Sequence, residues 1–557
     1  MNRIEALAQL TGEGLPYELA ETEALGRRVR AFKNAPVNLA ALFAAGRSDL
    51  PFIVYEDERL SFEEAWTRSQ HLAAVMARDY GVEKGDRVAI SMRNYPEWIL
   101  GFMAATSIGA IAVAMNALWQ PHEMEYGLKD SGAKLLLADQ ERLDRLAACE
   151  NAPAGLAVIA VRATKPLAAG VRAYDEVMAR AAPVGAGPPE RHVGPDDDAI
   201  MLYTSGSTGH PKGAVSTHRN IMSALLSWEL DAQAGMLAGF APVAGGPQPA
   251  ALLSIPLFHV SGLHVSLLQS FRAQRRLVCM YKWDPAQAVE IIERERITGF
   301  NGPPAVTGDL VEIARREGRD LSSLMAVGGG GASRAPEQVR AIDKAFPNAA
   351  PNTGWGMTET NAIGTSIAGA DYLAHPASSG RVSGVLDIRI VDEAGVAQPA
   401  GTRGELQIRG ASIMRGYWNR PEANAETFVD GWMRTGDVAY VDDEGFVYIV
   451  DRIKDLVIRG GENIGCGSVE AALLEHPDVL EVSVYGVPDE RLGEEVGATI
   501  YARSPIDEAE LRAFLEPRLA RFEIPRYFHF AGEPLPRIAS GKILKRQLRD
   551  EAAARWG

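Results

Sequence analysis

Residues 199–217 constrain the fold most. An apolar run, residues 199–203, leads into Tyr203-Thr204-Ser205-Gly206-Ser207-Thr208-Gly209-His210-Pro211-Lys212-Gly213, and a second extended run, residues 213–217, leads out. Between the runs lie four hydroxyl side chains, two glycines and Lys212. Glycines let successive backbone N–H groups converge on an anion, and hydroxyls and an ammonium add donors suited to polyphosphate. The segment is not a Walker A loop, which has Ser or Thr directly after its Lys and a helix at once. Here Gly213 follows Lys212 and both flanks read as strands. Taken alone, the same residues also read as a plain Gly/Ser-rich turn.

A chain of 557 residues exceeds one ordinary core and predicts two to four domains or subdomains. Strand and helix patterns alternate over roughly the first 350 residues, the texture of α/β architecture. Ser61-Phe62-Glu63-Glu64 is a capping box that predicts a helix running towards Tyr80, with Gly81 to end it. Strands are expected at residues 87–92, 134–138, 156–161, 199–203, 251–255, 276–280 and 325–328. Residues 183–195, rich in Pro and Gly, read as a linker. From about residue 382 to 450, short β-branched runs alternate with Gly, Pro and Asp turns, which reads as a small antiparallel barrel. The last hundred or so residues return to mixed α and β, with a strand at 481–485 and a helix around 508–519.

Composition excludes several functions. The formal net charge of −15 argues against nucleic acid and anionic membrane, which need a surplus of Lys and Arg. Cys149, Cys279 and Cys466 are far apart, match no metal or disulfide pattern and point to a reducing cytoplasm. Residues 1–14 carry no signal-peptide core. Residues 98–119 carry no charge and are long enough to cross a bilayer. Pro96 opens a helix there, however, Gly109 can end it, and residues 110–115 read as a strand, so a buried helix and strand are expected and no membrane span.

Further motifs follow in order: Pro256-Leu257-Phe258-His259, Gly330-Gly331-Ala332, Gly354-Trp355-Gly356-Met357-Thr358-Glu359, Trp432-Met433-Arg434-Thr435-Gly436-Asp437, Asp451-Arg452-Ile453-Lys454-Asp455, Gly460-Gly461-Glu462-Asn463 and Pro536-Arg537-Ile538-Ala539-Ser540-Gly541-Lys542. With the phosphate loop, these resemble the adenylate-forming superfamily of acyl-CoA synthetases, carrier-loading adenylation domains and beetle luciferases, over nearly the whole chain. The branch most similar is that of carboxylate–CoA ligases. The resemblance implies a large N-terminal domain, residues 1–453, with two α/β subdomains to about 380 and a small β-barrel at about 381–450. It implies a small mobile α+β C-terminal domain, residues 454–557, hinged at Lys454. It leaves a homodimer open.

The chemistry implied is attack of a small-molecule carboxylate on the α-phosphorus of ATP, release of pyrophosphate, then transfer of the acyl group to CoA with release of AMP. The substrate is itself the nucleophile, so catalysis rests on positioning and on cancelling phosphate charge. The family pattern places catalytic roles on Lys542, Thr358, Glu359, Lys454 and His259. ATP is expected at Thr204, Ser205, Gly206, Ser207, Thr208, Gly209 and Lys212, at Gly331 and Ala332, and at Gly354, Trp355, Gly356, Met357 and Thr358. Asp437, Arg452, Asn463 and Lys542 complete that set. Trp355 would stack on adenine, Asp437 would accept from the ribose hydroxyls, and Glu359 with Thr208 would hold Mg2+. Lys542 would bridge substrate carboxylate and phosphate during adenylation. Rotation about Lys454 would then present Gly460, Gly461 and Glu462 to CoA.

The sequence departs from many relatives at Gly465-Cys466-Gly467, where an aromatic and Pro are common, at Ser207 in place of Thr, and at Ser333 in place of Pro. Cys466 is expected to be a small buried residue. Amino-acid-activating relatives carry an Asp where His259 stands, so an acid without an α-amino group is expected. His259, Val260, Gly262, Leu263, Gly329 and Gly330 are expected to line the acid pocket, with the run of glycines at 328–331 widening it. A hydrophobic fatty or aryl-substituted acid follows as the expected substrate. A free-standing adenylation enzyme loading a carrier protein and a luciferase-like oxygenase remain as alternatives.

Overall fold

The computed structural model describes residues 3–179, 187–204, 210–238 and 247–557. Among the described residues, three large sheets organise the chain, beside the two-stranded sheet of Leu19–Ala24 and Arg27–Phe32. In the first, eight strands run in the order Gly416–Tyr417, Lys212–Thr217, Asp198–Thr204, Ile111–Ala114, Arg87–Ser91, Leu135–Asp139, Ala157–Val161 and Arg172–Ala173. From Asp198–Thr204 to Arg172–Ala173 the pairing is parallel, and Lys212–Thr217 adds antiparallel at the other side. Successive side chains of a strand point to opposite faces. Val88 and Ile90 accordingly enter one core cluster while Ala89 enters another, and both faces are covered.

Local signals set the helices around this sheet. The Ser61 side chain accepts from Glu64 N and the Glu64 carboxylate accepts from Ser61 N at 2.8 Å, starting the helix Phe62–Asp79. Pro96 opens the helix Pro96–Ser107, and Gly109, at φ +74°, turns the chain into the buried strand Ile111–Ala114. The uncharged stretch is thus a core helix and strand. Among the described residues no helix is long and apolar enough to cross a membrane.

The second sheet is longer. Pro51–Tyr55, Arg276–Cys279, Ala250–Leu253, Gly299–Asn301, Ala326–Gly328 and Ala350–Thr353 form its parallel part. Thr365–Ala368 then joins antiparallel, and through Gly380–Val382 the sheet runs on into Phe446–Arg452, Trp432–Val441, Gly404–Arg409 and Asp387–Val391. The antiparallel subdomain expected near residues 381–450 is therefore hydrogen-bonded to the second sheet. The two α/β layers also share one core: Phe271 lies 5.1, 5.3 and 5.2 Å from Phe43, Phe52 and Phe62, in the same cluster as Ile90, Phe102 and Leu137.

The C-terminal part has its own five-stranded sheet and core. Val479–Asp489 and Gly493–Ala502 form a long hairpin, and Gly493–Ala502 also pairs in parallel with Tyr527–Ala531 and, through Gly493, with Arg459 of the small hairpin Val457–Arg459/Glu462–Ile464. The helix expected to reach residue 519 ends at Leu515. Pro517 is the reason: it has no N–H to continue the ladder and its ring disfavours the helical conformation just before it.

The fold buries His218 and His264 completely. Burial pushes each imidazole down to about 4, with the Asn361 backbone opposing the shift at His264. A histidine whose folded pKa is depressed stays neutral while the unfolded chain takes up a proton, so stability falls as pH drops through the unfolded value of about 6.5. Each group therefore costs about 2 kcal/mol by about pH 5. His264→Leu should remove its share, so the loss of denaturant stability between about pH 7 and pH 5 should shrink by about 2 kcal/mol. An unchanged pH slope in the variant contradicts this.

Candidate active site

A cleft of about 2390 Å³ lies between the large N-terminal part and the C-terminal part. Antiparallel pairing of Asp198–Thr204 with Lys212–Thr217 sets Thr204 opposite Lys212 at its edge. Both flanks of the segment are strands, as expected. Ser205, Gly206, Ser207, Thr208 and Gly209 lie outside the described residues.

The strand Gly416–Tyr417 pairs with Lys212–Thr217 and carries Tyr417 beneath Lys212, whose Nζ lies 4.6 Å from the ring centroid. The Tyr417 hydroxyl donates to Glu359 Oε1 at 2.7 Å. Glu359 sits in the short turn Thr358–Thr360 and is buried, with its carbonyl accepting from Met414 N at 2.8 Å. Cation, phenol and carboxylate thus form one connected unit. A neighbouring carboxylate and burial both hold the Tyr417 hydroxyl protonated, burial being the larger cause. Tyr417 was invisible to sequence reading because a two-residue strand pairing places it, and its own run reads as part of the antiparallel subdomain.

A second unit lies beside the first. Asp437 and Arg452 are cross-strand partners, with Arg452 Nε 2.7 Å from Asp437 Oδ1. Trp355 Nε1 donates to Asp437 Oδ2 at 2.8 Å, and the Trp355 ring is backed by Gly364, where a Cβ would lie 2.4 Å from Cε3. Burial raises the Asp437 carboxyl above its ordinary value, and Arg452 opposes that shift.

Lys542 enters this cleft from the C-terminal part. A Cβ at Gly331, which has φ +98°, would lie 3.1 Å from Lys542 Cε, so the glycine makes room for the lysine. Burial lowers the Lys542 ammonium from its usual range and Arg452 adds to this, while Asp437 and Glu359 favour its charge. Burial, then Lys542, push His259 down to about 3, and its Nε2 has no partner among the described residues. The imidazole is neutral over the whole neutral range.

Thr204, Lys212, His259, Val260, Gly331, Ala332, Gly354, Trp355, Gly356, Met357, Thr358, Glu359, Asp437, Arg452, Lys454 and Lys542 all line the cleft. Others do not. Glu462 and Asn463 are exposed on the Glu462–Ile464 strand, with Gly460 and Gly461 in the adjoining turn, and none of them lines the cleft while Lys542 does. Leu263 is fully buried, and a side chain at Gly262 would collide with the Pro256 carbonyl at 2.2 Å. The glycines at 328–330 do not widen a pocket. A Cβ at Gly328 would meet Asn352 O at 2.0 Å, at Gly329 Gly302 N at 2.8 Å, and at Gly330 Gly354 O at 2.5 Å. Neighbouring backbone already fills that space. Cys466 is buried with its thiol pushed up by burial and Sγ 3.2 Å from Asp455 O, an inert arrangement.

The family models for the AMP-binding enzyme and for the AMP-binding enzyme C-terminal domain match residues 41–418 and 468–542. The chain belongs to the AMP-binding enzyme family. It is 32% identical to long-chain-fatty-acid–CoA ligase FadD13 of Mycobacterium tuberculosis over 502 residues, covering 89% of this chain and 94% of that one. It is 34% identical to feruloyl-CoA synthase of Amycolatopsis sp over 498 residues, covering 88% and 93%. Among solved structures, o-succinylbenzoate CoA synthetase of Bacillus subtilis with its acyl-adenylate intermediate matches at TM-score 0.76 and 28% identity, over 92% of this chain and 98% of that one. This AMP-binding enzyme is an acid–thiol ligase that forms acyl- or aryl-CoA through an adenylate. The relatives are CoA ligases and do not favour the carrier-loading or oxygenase alternatives.

Tyr417→Phe tests the first unit. The variant keeps the ring under Lys212 and removes the hydrogen bond to Glu359. Adenylation, followed as pyrophosphate release without CoA, should slow about tenfold, the size of one hydrogen bond to a charged group. An unchanged rate shows that Glu359 is held by other contacts.

Proposed function

We propose that the enzyme activates a hydrophobic carboxylic acid, a fatty or aryl-substituted acid without an α-amino group. The observation that carries this reading is His259. It is neutral, it lines the cleft beside Lys542, and its neighbours Phe258 and Val260 are buried and apolar. An α-ammonium taken out of water there would find no carboxylate at this position, at a cost of several kcal/mol. The relatives named above act, by their names, on a long-chain fatty acid and on ferulate.

In this reading ATP lies along the cleft with its phosphates at Thr204, Lys212 and the intervening loop. Trp355 takes the adenine and Asp437 accepts from the ribose hydroxyls while Arg452 steadies it. Glu359 fits Mg2+, which takes one or two carboxylates and is otherwise held by substrate phosphates; it would neutralise phosphate charge there. Among the described residues no cluster of three His, Cys, Asp or Glu side chains could hold a metal by itself, which suits a metal that arrives with the nucleotide. The acid's carboxylate attacks the α-phosphorus and pyrophosphate leaves. Lys542 bridges the attacking oxygen and the phosphate, offsetting the charge that builds up between them.

For the second step, residues 454–557 turn as a unit about Lys454, which is exposed in the short turn Ile453–Asp455. That rotation withdraws Lys542 and brings Gly460, Gly461 and Glu462 to the path of CoA. Gly460 and Gly461, at φ +59° and +94°, make the tight turn this hairpin needs. The free cysteines suit a reducing compartment, and cytoplasm is the proposed location.

A panel of fatty acids, arylalkanoic acids, and leucine and phenylalanine beside their deamino analogues tests the substrate class. AMP formation with and without CoA should rise about fourfold in specificity constant per added methylene until the pocket is full. Preference for either amino acid over its deamino analogue overturns the reading. Lys454→Pro should keep adenylation and lose thioester formation, because proline fixes φ at a residue that has to turn. Unchanged thioester synthesis removes Lys454 as the pivot.

A further inference from the structure

Arg537 lies five residues before Lys542 in a tight hairpin. Leu544 N donates to Pro536 O at 2.7 Å, Ile538 N to Lys542 O at 2.8 Å and Gly541 N to Ile538 O at 2.9 Å, with a β-bridge between Arg537 and Ile543. Fixing Arg537 therefore fixes how deep Lys542 reaches. The Arg537 guanidinium forks onto Asp309, Nη1 to Oδ2 at 2.7 Å and Nη2 to Oδ1 at 3.2 Å. Asp309 belongs to the helix Pro304–Glu317 of the N-terminal part, one turn from Val306. The hairpin tip rests on that same face: a Cβ at Gly541 would lie 2.6 Å from Val306 Cγ2.

Each charge also has a partner on its own side. Arg537 Nη2 donates to Glu481 Oε1 at 2.7 Å, and Glu481 accepts from Leu535 N at 2.9 Å beside it. Asp309 Oδ2 accepts from Trp283 Nε1 at 2.9 Å. Pulling the two parts asunder thus leaves neither charge unpartnered. Bidentate Arg–carboxylate geometry fixes orientation as well as distance. Side-chain exposures of 19% for Arg537 and 26% for Asp309 leave the pair reachable by water, so it can open.

We propose that Asp309 and Arg537 form a latch that holds the Lys542 hairpin at adenylation depth and has to open before thioester formation. Both are positioning residues, acting through Lys542 without touching substrate. The proposal rests on the rotation of residues 454–557 read above.

Arg537→Met and Asp309→Asn test it in the full-length enzyme, each half-reaction being measured separately. Adenylation should fall about tenfold in each, while conversion of supplied acyl-adenylate and CoA to thioester stays at the parent rate or rises. The retained second step reports that the variants are folded. Because both act through one pair, the double variant should adenylate no more slowly than the weaker single one, and Arg537→Lys should recover part of the loss. Equal loss of both half-reactions, no loss of adenylation, or additive losses in the double variant overturn the latch. Failure of the underlying rotation shows separately: Lys454→Pro then does not divide the half-reactions, whereas a latch that alone fails leaves that division intact.

Discussion

An ammonium enclosed by protein has to find opposite charge nearby, and Lys542 finds it in Asp437 and Glu359 while Arg452 works against it. Much of the cleft serves that balance. Asp437 is held by Trp355 and Arg452, Glu359 by Tyr417, and Gly331 opens the space through which the lysine stem passes. The same arrangement suits an anionic nucleotide and a carboxylate. A cation short of compensation gains from each phosphate or carboxylate oxygen that arrives, so the cleft is electrostatically suited to anionic substrates.

The fold supplies the rigidity this needs. Core residues of both α/β layers meet around Phe271, and the second sheet runs without a break into the strands bearing Asp437 and Arg452. Asp437 and Arg452 thus sit on the same hydrogen-bonded sheet as the parallel strands, while Thr204 and Lys212 sit on the first sheet. Lys542 comes from a hairpin of the C-terminal part, which has a sheet and a core of its own. The contrast between a continuous N-terminal framework and an independent C-terminal unit is the physical basis for reading one catalytic group as removable.

Local chemistry made much of this legible in the sequence. The capping box at Ser61 and Pro96 with Gly109 mark elements through backbone hydrogen bonding or φ alone, and the structure has them there. The two strands that meet at Thr204 and Lys212 were readable as extended runs. What stayed hidden depends on partners distant in sequence. Tyr417 reaches Glu359 only through pairing with a strand some 200 residues earlier. The glycines at 328–330 suggested open space, yet the backbone of Gly302, Asn352 and Gly354 lies against them. Asp309 gives no sign in its helix that an arginine over 200 residues later will find it. Pro517, a local stop, was passed over when its helix was expected to run to residue 519.

The central claim is that Lys542 serves adenylation alone, from the position it holds in this structure. Single-turnover rates of the two half-reactions in Lys542→Ala test it most directly. The account predicts that acyl-adenylate formation falls by roughly 100-fold or more, while conversion of supplied acyl-adenylate and CoA to thioester proceeds at the parent rate. Equal loss of both steps in a folded variant would contradict it.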